Sequence, residues 1–401
     1  MSVVGIVCEY NPFHRGHLLH INETRRAFGP DCSIVCVMSG DFVQRGEPAL
    51  YSKFARAEAA CRCGADLVVE LPLPWALSSA EGFARGAVSI LSSMGAEYLS
   101  FGSEAGETGP LEEIAKLLLD ESITQEIKAL MAKQSELSFA SARQRVLEMR
   151  MGDKAGLIAK PNNILGVEYI KAIRSLDLDI KPFTLRRTGS EHDGEGSSEI
   201  KSASELRKLI RQGKDVRPFI PEQAFSVFER EHKQGRAHNA ELFEIAMLSR
   251  LRALGREDYN CLPDSGDGLG NRLWKAVRTE ATFDAVLASA KTKRYALSRI
   301  RRMCMCASLG IDAQMSQWLP SYGRVLACSE KGFAVLRGIE AGESFSIVTK
   351  PASANKLSAT ERKIFQLGAD AHDLYSMAYL AKCERKGGKD WRTSPFVVKN
   401  D

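Results

Sequence analysis

Between residues 3 and 101, short runs of β-branched and other apolar residues alternate with longer amphipathic runs. That alternation predicts βα units around a parallel sheet. Strands are expected at 3–8, 33–38, 66–71 and 97–101, with helices at 17–28, 53–63 and 80–94. A stretch rich in Leu, Lys and Glu over 110–149 reads as helical. Lys160-Pro161-Asn162-Asn163 then breaks the pattern and offers a cap to a helix ending at Arg174. A further strand is expected at 182–185, and the polar, Gly-rich run 189–198 reads as a loop.

Beyond Arg217 the alternation fades, and Pro218 with Pro221 marks a boundary. The expected architecture is therefore α/β, with a Rossmann-like parallel-sheet domain over 1–217 and a mainly helical domain over 218–401. Within the second part, Val325-Leu326-Ala327, Phe333-Ala334-Val335-Leu336 and Phe345-Ser346-Ile347-Val348 are separated by Gly-containing turns, which predicts a small β-hairpin or meander.

The 401 residues, 44% hydrophobic and 26% charged, suffice for a full core and two domains, and exclude a disordered or fibrous chain. No apolar run approaches the length needed to cross a bilayer, and residues 1–6 lack the basic start of a secretory signal, so a cytoplasmic location is expected. The ten cysteines sit largely in apolar runs, as in Ser33-Ile34-Val35-Cys36-Val37, and read as buried reduced thiols. Cys61-Arg62-Cys63 and Cys304-Met305-Cys306 have one-residue spacers, unlike a zinc site, so no thiol-held metal is expected.

Candidate chemistry concentrates where the first strand should end, at Asn11-Pro12-Phe13-His14-Arg15-Gly16-His17. Ligands of open α/β sheets gather at the carboxyl ends of strands. A helix opening near His17 presents free N–H groups to an anion, and Gly16 lets a phosphate or adenine approach the backbone. His14 and His17, three residues apart, can both donate to one phosphate, which suits attack at the α-phosphate of ATP. The bland reading is a histidine helix face, with His20, that merely packs. The combination of strand, Asn-Pro turn, His-x-Gly-His and helix favours the nucleotide site.

A second helix start, Ser202-Ala203-Ser204-Glu205-Leu206-Arg207, carries a capping box in Ser202 and Glu205. The box explains the segment structurally. Ser204 and Arg207 also make it an anion site, with Arg207 able to hold the departing β- and γ-phosphates.

His14-Arg15-Gly16-His17 matches the HxGH motif, and Ser202 to Arg207 is similar to the second phosphate motif of HIGH-superfamily adenylyltransferases. The runs Glu9-Tyr10-Asn11-Pro12-Phe13-His14, Met38-Ser39-Gly40-Asp41-Phe42-Val43-Gln44-Arg45-Gly46-Glu47-Pro48, Phe101-Gly102-Ser103-Glu104 and Lys160-Pro161-Asn162-Asn163-Ile164-Leu165-Gly166 resemble the tRNA(Met) cytidine acetate ligase family. The resemblance extends to Gly268-Leu269-Gly270-Asn271-Arg272 and Lys293-Arg294-Tyr295. It implies an ATP-dependent ligase that forms acetyl-adenylate and passes the acetyl group to N4 of the wobble cytidine, position 34, of elongator tRNA(Met). The products would be N4-acetylcytidine, AMP and diphosphate.

The resemblance also implies ATP contacts at Val7-Cys8-Glu9-Tyr10-Asn11-Pro12-Phe13-His14-Arg15-Gly16-His17-Leu18-Leu19-His20, Gly102, Asn162 and Arg187, with Arg186 as the neighbouring alternative. Structural readings stand beside each: Gly102 ending a strand, Asn162 capping a helix, Arg187 as a solvated charge. ATP would enter with Mg²⁺, for which the sequence shows no carboxylate cage. Asp41, Gln44, Arg45 and Glu47 read by default as a solvated loop; since they border the same crevice, a role in ordering ATP or the cytidine is the alternative.

No acid lies between Asp284 and Asp312, a window that holds Lys291, Lys293, Arg294, Arg299, Arg301 and Arg302. Taken as one helix over 291–307, it places Lys291, Arg294, Arg301 and Arg302 on one basic outer face. Such faces are usually only solvated; the implied tRNA substrate raises the binding reading. Trp391 among the cations of 382–399 reads either as a base-stacking element or as a frayed tail. An adenylyltransferase for a small phosphorylated acceptor and a non-catalytic tRNA-binding protein remain the alternatives. The first would not need residues 218–401, and intact His14 and His17 argue against the second.

Overall fold

The structure, a computed structural model, describes residues 2–134, 136–187, 200–266, 268–339 and 345–398. The loop expected at 189–198 lies outside the described residues, as does Lys399.

The expected strands form with small shifts at their ends. They are β1 (Val3–Cys8), β2 (Ser33–Ser39), β5 (Leu67–Leu71), β6 (Tyr98–Ser103) and β7 (Lys181–Arg186), while the unexpected β3 (Phe42–Val43) and β4 (Glu47–Pro48) pair with each other. Three more follow, β8 (Tyr322–Cys328), β9 (Ser346–Val348) and β10 (Phe396–Val397). The main sheet runs β10-β8-β5-β2-β1-β6-β7, with β9 on β8. Strands β1, β2, β5, β6 and β7 are mutually parallel.

Their apolar runs are continuous because both faces are covered. Val35, Val37, Leu67 and Val69 face a core shared with Phe83 and Val88 of the helix Ala80–Ser93 and Val167 of the helix Pro161–Ser175. The alternate residues Ile34, Cys36 and Val68 pack with Ile21 of the helix Arg15–Phe28 and with Ala57 of the helix Lys53–Arg62. A third core joins the helices Ala240–Ala253, Leu269–Thr279, Phe283–Ala290 and Leu297–Leu309 to Phe42, Leu73 and Tyr375. The main sheet thus draws strands from both sides of residue 217.

Two expectations are corrected. The described residues of 324–350 form no hairpin or meander. β8 enters the main sheet antiparallel to β5, residues Glu330–Gly338 are a helix, and β9 returns parallel to β8. A short apolar run cannot by itself tell helix from strand. Here Ser329 caps the helix through the Gly332 N–H, and a Cβ on Gly332 would lie 2.1 Å from the Asp66 carbonyl oxygen, so this glycine serves close packing.

Residues 291–307 are not one helix either. One helix ends at Ala290 and the next begins at Leu297. Arg302 is buried against Asp264 and Arg301 pairs with Glu47, at 3.0 and 2.6 Å. Counter-charges absent from the linear window arrive from other segments, so the shared outer face is lost. All ten cysteines are free thiols, and only Cys261 and Cys383 are exposed.

Candidate active site

β1 is flanked by β2 on one side and β6 on the other, so the strand order reverses there. A crevice opens at such a switch point, beyond the carboxyl ends of the strands. Glu9 to Phe13 leave β1 at that edge, across a cis Asn11–Pro12 peptide, and His14 becomes the N-cap of the helix Arg15–Phe28.

The cap fixes the histidines. His14 Nδ1 accepts the Gly16 N–H at 3.0 Å, and His17 Nδ1 accepts the His14 N–H at 3.2 Å. The two rings stack with centroids 3.7 Å apart. Burial, helped by the Arg187 charge, pushes the His14 and His20 imidazoles down to about 4, and burial with the His14 and Arg187 charges pushes His17 well below its ordinary value. Each ring is thus neutral near pH 7. With Nδ1 accepting, the proton of His14 and of His17 must sit on Nε2. The pair therefore offers two Nε2–H donors beside a helix N-terminus. A Cβ on Gly16 would lie 2.9 Å from His14 Cε1, so the glycine makes room for the folded-back imidazole.

Not every residue of the run faces the crevice. Cys8, Tyr10 and Phe13 are core side chains, with the Tyr10 hydroxyl 3.5 Å from Cys36 Sγ. The Asn11 Oδ1 accepts the Leu50 N–H. These four residues therefore offer a nucleotide only their backbone. His20 Nε2 meets Ser100 Oγ of β6 at 3.0 Å and ties helix to sheet. Leu19 and Arg15 are exposed.

Gly102, Asn162 and Arg187 come together across the crevice. Arg187 Nη1 donates to Asn162 Oδ1 at 3.3 Å, and Asn162 Nδ2 donates to Glu104 Oε1 at 2.7 Å. A Cβ on Gly102 would lie 2.9 Å from Arg187 Cγ. Arg187 is the cation whose charge acts on all three histidines, whereas Arg186 donates to the Ala105 carbonyl. Glu104 also accepts the Asn163 N–H at 2.9 Å. Sequence reasoning did not single it out, although it ends the Phe101-Gly102-Ser103-Glu104 motif.

The capping box forms: Ser202 Oγ accepts the Glu205 N–H and Glu205 Oε2 accepts the Ser202 N–H. Ser204 Oγ lies 3.1 Å from Ser202 Oγ. Arg207 reaches across to donate to the Asn11 carbonyl at 2.8 Å, which places it on the HxGH turn.

Residues 41–48 are not a solvated loop. Asp41 is buried, its Oδ1 accepting the Lys53 N–H and its Oδ2 meeting His372 Nδ1 at 2.7 Å. Although burial works against it, the His372 partnership holds the Asp41 carboxyl below its usual range. Gln44 N–H donates to Glu9 Oε1, and Glu47 stands between Arg301 at 2.6 Å and Arg207 at 3.8 Å.

Beneath lies a network that the sequence did not disclose. Arg56 is fully buried and donates to the carbonyls of Tyr51, Glu9 and Gly40, pinning the exits of β1 and β2. Lys53 Nζ pairs with Glu70 at 2.7 Å and Asp390 at 2.8 Å, and Arg324 pairs with Asp390. Burial presses the Lys53 ammonium down, and Asp390 with Glu70 more than offsets it. Trp391 packs edge-on against Phe365 at 4.7 Å and donates to Gln366, so this segment is docked rather than frayed.

Of the cations grouped for RNA, Lys291 is exposed, with Nζ turned to the Thr292 and Tyr295 carbonyls; Arg294 and Arg301 are half-buried and Arg302 is buried. Among the described residues, no helix is long and apolar enough to cross a membrane.

Residues 1–390 match the family model of the HIGH Nucleotidyl Transferase. A tRNA(Met) cytidine acetate ligase of Clostridium botulinum is 36% identical over 417 residues, spanning 100% of this chain and 99% of the relative. The enzyme of the same name from Acetivibrio thermocellus is 35% identical, over 99% of this chain and 100% of its own. The crystal structure of Thermotoga maritima TmcAL bound with alpha-thio ATP superposes with a TM-score of 0.91 at 30% identity, and the apo form with 0.93 at 31%, each covering 100% of both chains. With an HxGH cap at the switch point and full-length similarity of this degree, the chain belongs to the tRNA(Met) cytidine acetate ligase family of HIGH nucleotidyl transferases.

Proposed function

We propose that this protein is an ATP-dependent ligase that activates acetate as acetyl-adenylate and acetylates N4 of the wobble cytidine of elongator tRNA(Met). The stacked His14 and His17 pair, both Nδ1 atoms tied down and both Nε2–H groups left to donate, carries the reading. In the first step an acetate oxygen attacks the α-phosphate in line, diphosphate leaves, and the two donors meet charge that develops on the phosphate oxygens. Arg187 and Arg207 supply cations on either side of the HxGH turn. In the second step the cytidine amine attacks the acetyl carbonyl and AMP departs.

Mg²⁺ would arrive with the triphosphate and keep several of its waters. The helical portion beyond residue 217, with Lys291, Arg294 and Arg301, would hold the tRNA, and Arg302 would support that surface from within through Asp264. Transfer of AMP to a small acceptor is disfavoured by one feature: the 41–48 loop fastens the nucleotide side to the cation-bearing helical part through Glu47 and Arg301. A cytoplasmic setting follows from a tRNA substrate.

The test is incubation with ATP, labelled acetate and total tRNA, followed by digestion to nucleosides. Labelled N4-acetylcytidine is the expected product. AMP formation without it would refute the transfer step.

A further inference from the structure

The second half-reaction needs a group to take a proton. The N4 amine of cytidine is a weak nucleophile, and as its nitrogen bonds to the acetyl carbon it must shed hydrogen to a base within hydrogen-bond reach. The histidines do not fit, since His14 and His17 use Nδ1 as acceptors and present Nε2–H as donors.

Among the described residues, the carboxylates at and beneath the crevice edge are nearly all engaged. Glu104 accepts from Asn162 with one oxygen and from Asn163 with the other. Asp41 is taken by Lys53 and His372, Glu70 by Lys53 and Arg324, and Asp390 by Lys53 and Arg324. Glu47 is divided between Arg301 and Arg207.

Glu9 differs. It follows β1 directly, is only partly covered, and accepts the Gln44 N–H on Oε1 at 2.7 Å, while Oε2 accepts no hydrogen bond from the described residues. Its position is also apt. Gln44 belongs to the loop that reaches Arg301, so Glu9 stands between the HxGH turn and the cation-bearing helical part.

We propose that Glu9 Oε2 is the base of the acetyl-transfer step, receiving the N4 proton of the cytidine as the C–N bond forms. The N4 lone pair attacks the acetyl carbonyl carbon, the acyl C–O bond to the α-phosphate breaks, AMP leaves with that electron pair, and the proton passes to the Glu9 carboxylate. Burial raises the Glu9 carboxyl, against the Gln44 hydrogen bond and the charges of Arg56, Arg207 and Arg45, which strengthens it as a base. Those arginines and Tyr169 are the charged and titratable groups that face it.

The proposal rests on the acetate-ligase reading, and two half-reaction assays separate them. Acetate-dependent ATP–diphosphate exchange reports the first step. Single-turnover transfer from preformed acetyl-adenylate to tRNA reports the second. Glu9→Gln keeps the shape and an acceptor for Gln44 N–H, and should lower transfer by roughly 10² to 10⁴ beyond any loss in exchange. It should also abolish the fall of transfer on acidification, and Glu9→Asp should restore part of the rate. A transfer loss no larger than the exchange loss would overturn the proposal. So would a raised KM for tRNA with the transfer rate constant unchanged, which would reduce Glu9 to cytosine recognition. Wild-type protein that performs exchange but never acetylates tRNA would instead overturn the acetate-ligase reading, and the proposal with it.

Discussion

His14 and His17 act on charge that appears only as the α-phosphate is attacked, so their worth belongs to the transition state. Replacing either with Ala is expected to slow adenylate formation by about 10² to 10³, beside a stability loss of about 0.5 to 2 kcal/mol from the broken cap. Near-wild-type release of diphosphate would refute the assignment. The depressed values add a pH expectation. His14 and His20 stay neutral until about 4, so adenylate formation should not fall with a midpoint near 6.5, where a free imidazole titrates. Stability behaves differently. Because the folded values lie below the unfolded one, the unfolded chain binds protons first, and stability should decline as pH drops from 6.5 toward 4. A rate profile beside unfolding curves over that range checks both.

At the scale of elements, the candidate site is built from strand ends and helix starts, and two of those helices are closed by side-chain caps. Ser202 closes the capping box of the helix Ala203–Arg211, the helix that carries Arg207 to the Asn11 carbonyl. Ser202→Ala should cost about 0.5 to 2 kcal/mol and raise the KM for ATP, since a frayed first turn lets Arg207 wander. An unchanged KM beside the stability loss would leave the cap purely structural. The elements of 3–101 were legible because strand and helix periods are local. The 330–338 helix was not, because its Gly332 packs against Asp66, far away in sequence.

At the scale of the whole molecule, Asp390 fastens the C-terminal segment under the crevice through Lys53 and Arg324. Asp390→Ala should cost about 3 to 5 kcal/mol, because removing one partner strands buried charges. The Asp390 carboxyl is held below its usual range by Lys53 and Arg324 against the cost of burial. Its contribution is therefore present above the unfolded carboxylate value, near 4, and is lost as pH falls further. Denaturant unfolding at neutral and acid pH should show the wild-type advantage shrinking. A variant as stable as wild type at neutral pH would refute the role. Charge reversal at Lys291 and Lys293, both exposed, should weaken tRNA binding far more than adenylate formation. For every RNA phosphate that loses its cation, the slope of log affinity against log salt should shrink by about 0.7 to 0.9. An unchanged slope would return this surface to the solvent.

The sequence by itself determined the parallel sheet, the HxGH helix start, the Ser202 capping box and the family resemblance, because each is written in neighbouring residues with a local period or cap. It named Gly102, Asn162 and Arg187 only through that resemblance, and misread the 41–48 loop and the 291–307 cations. Only the tertiary structure decided that Arg302 turns inward to Asp264, that Glu47 joins Arg207 to Arg301, and that Asp390 meets Lys53. These partners lie tens to hundreds of residues apart, and which charge meets which is set by packing, not by any pattern along the chain. The same packing occupies Asp41, Glu47, Glu70, Glu104 and Asp390, whereas Glu9 Oε2 accepts no hydrogen bond from the described residues.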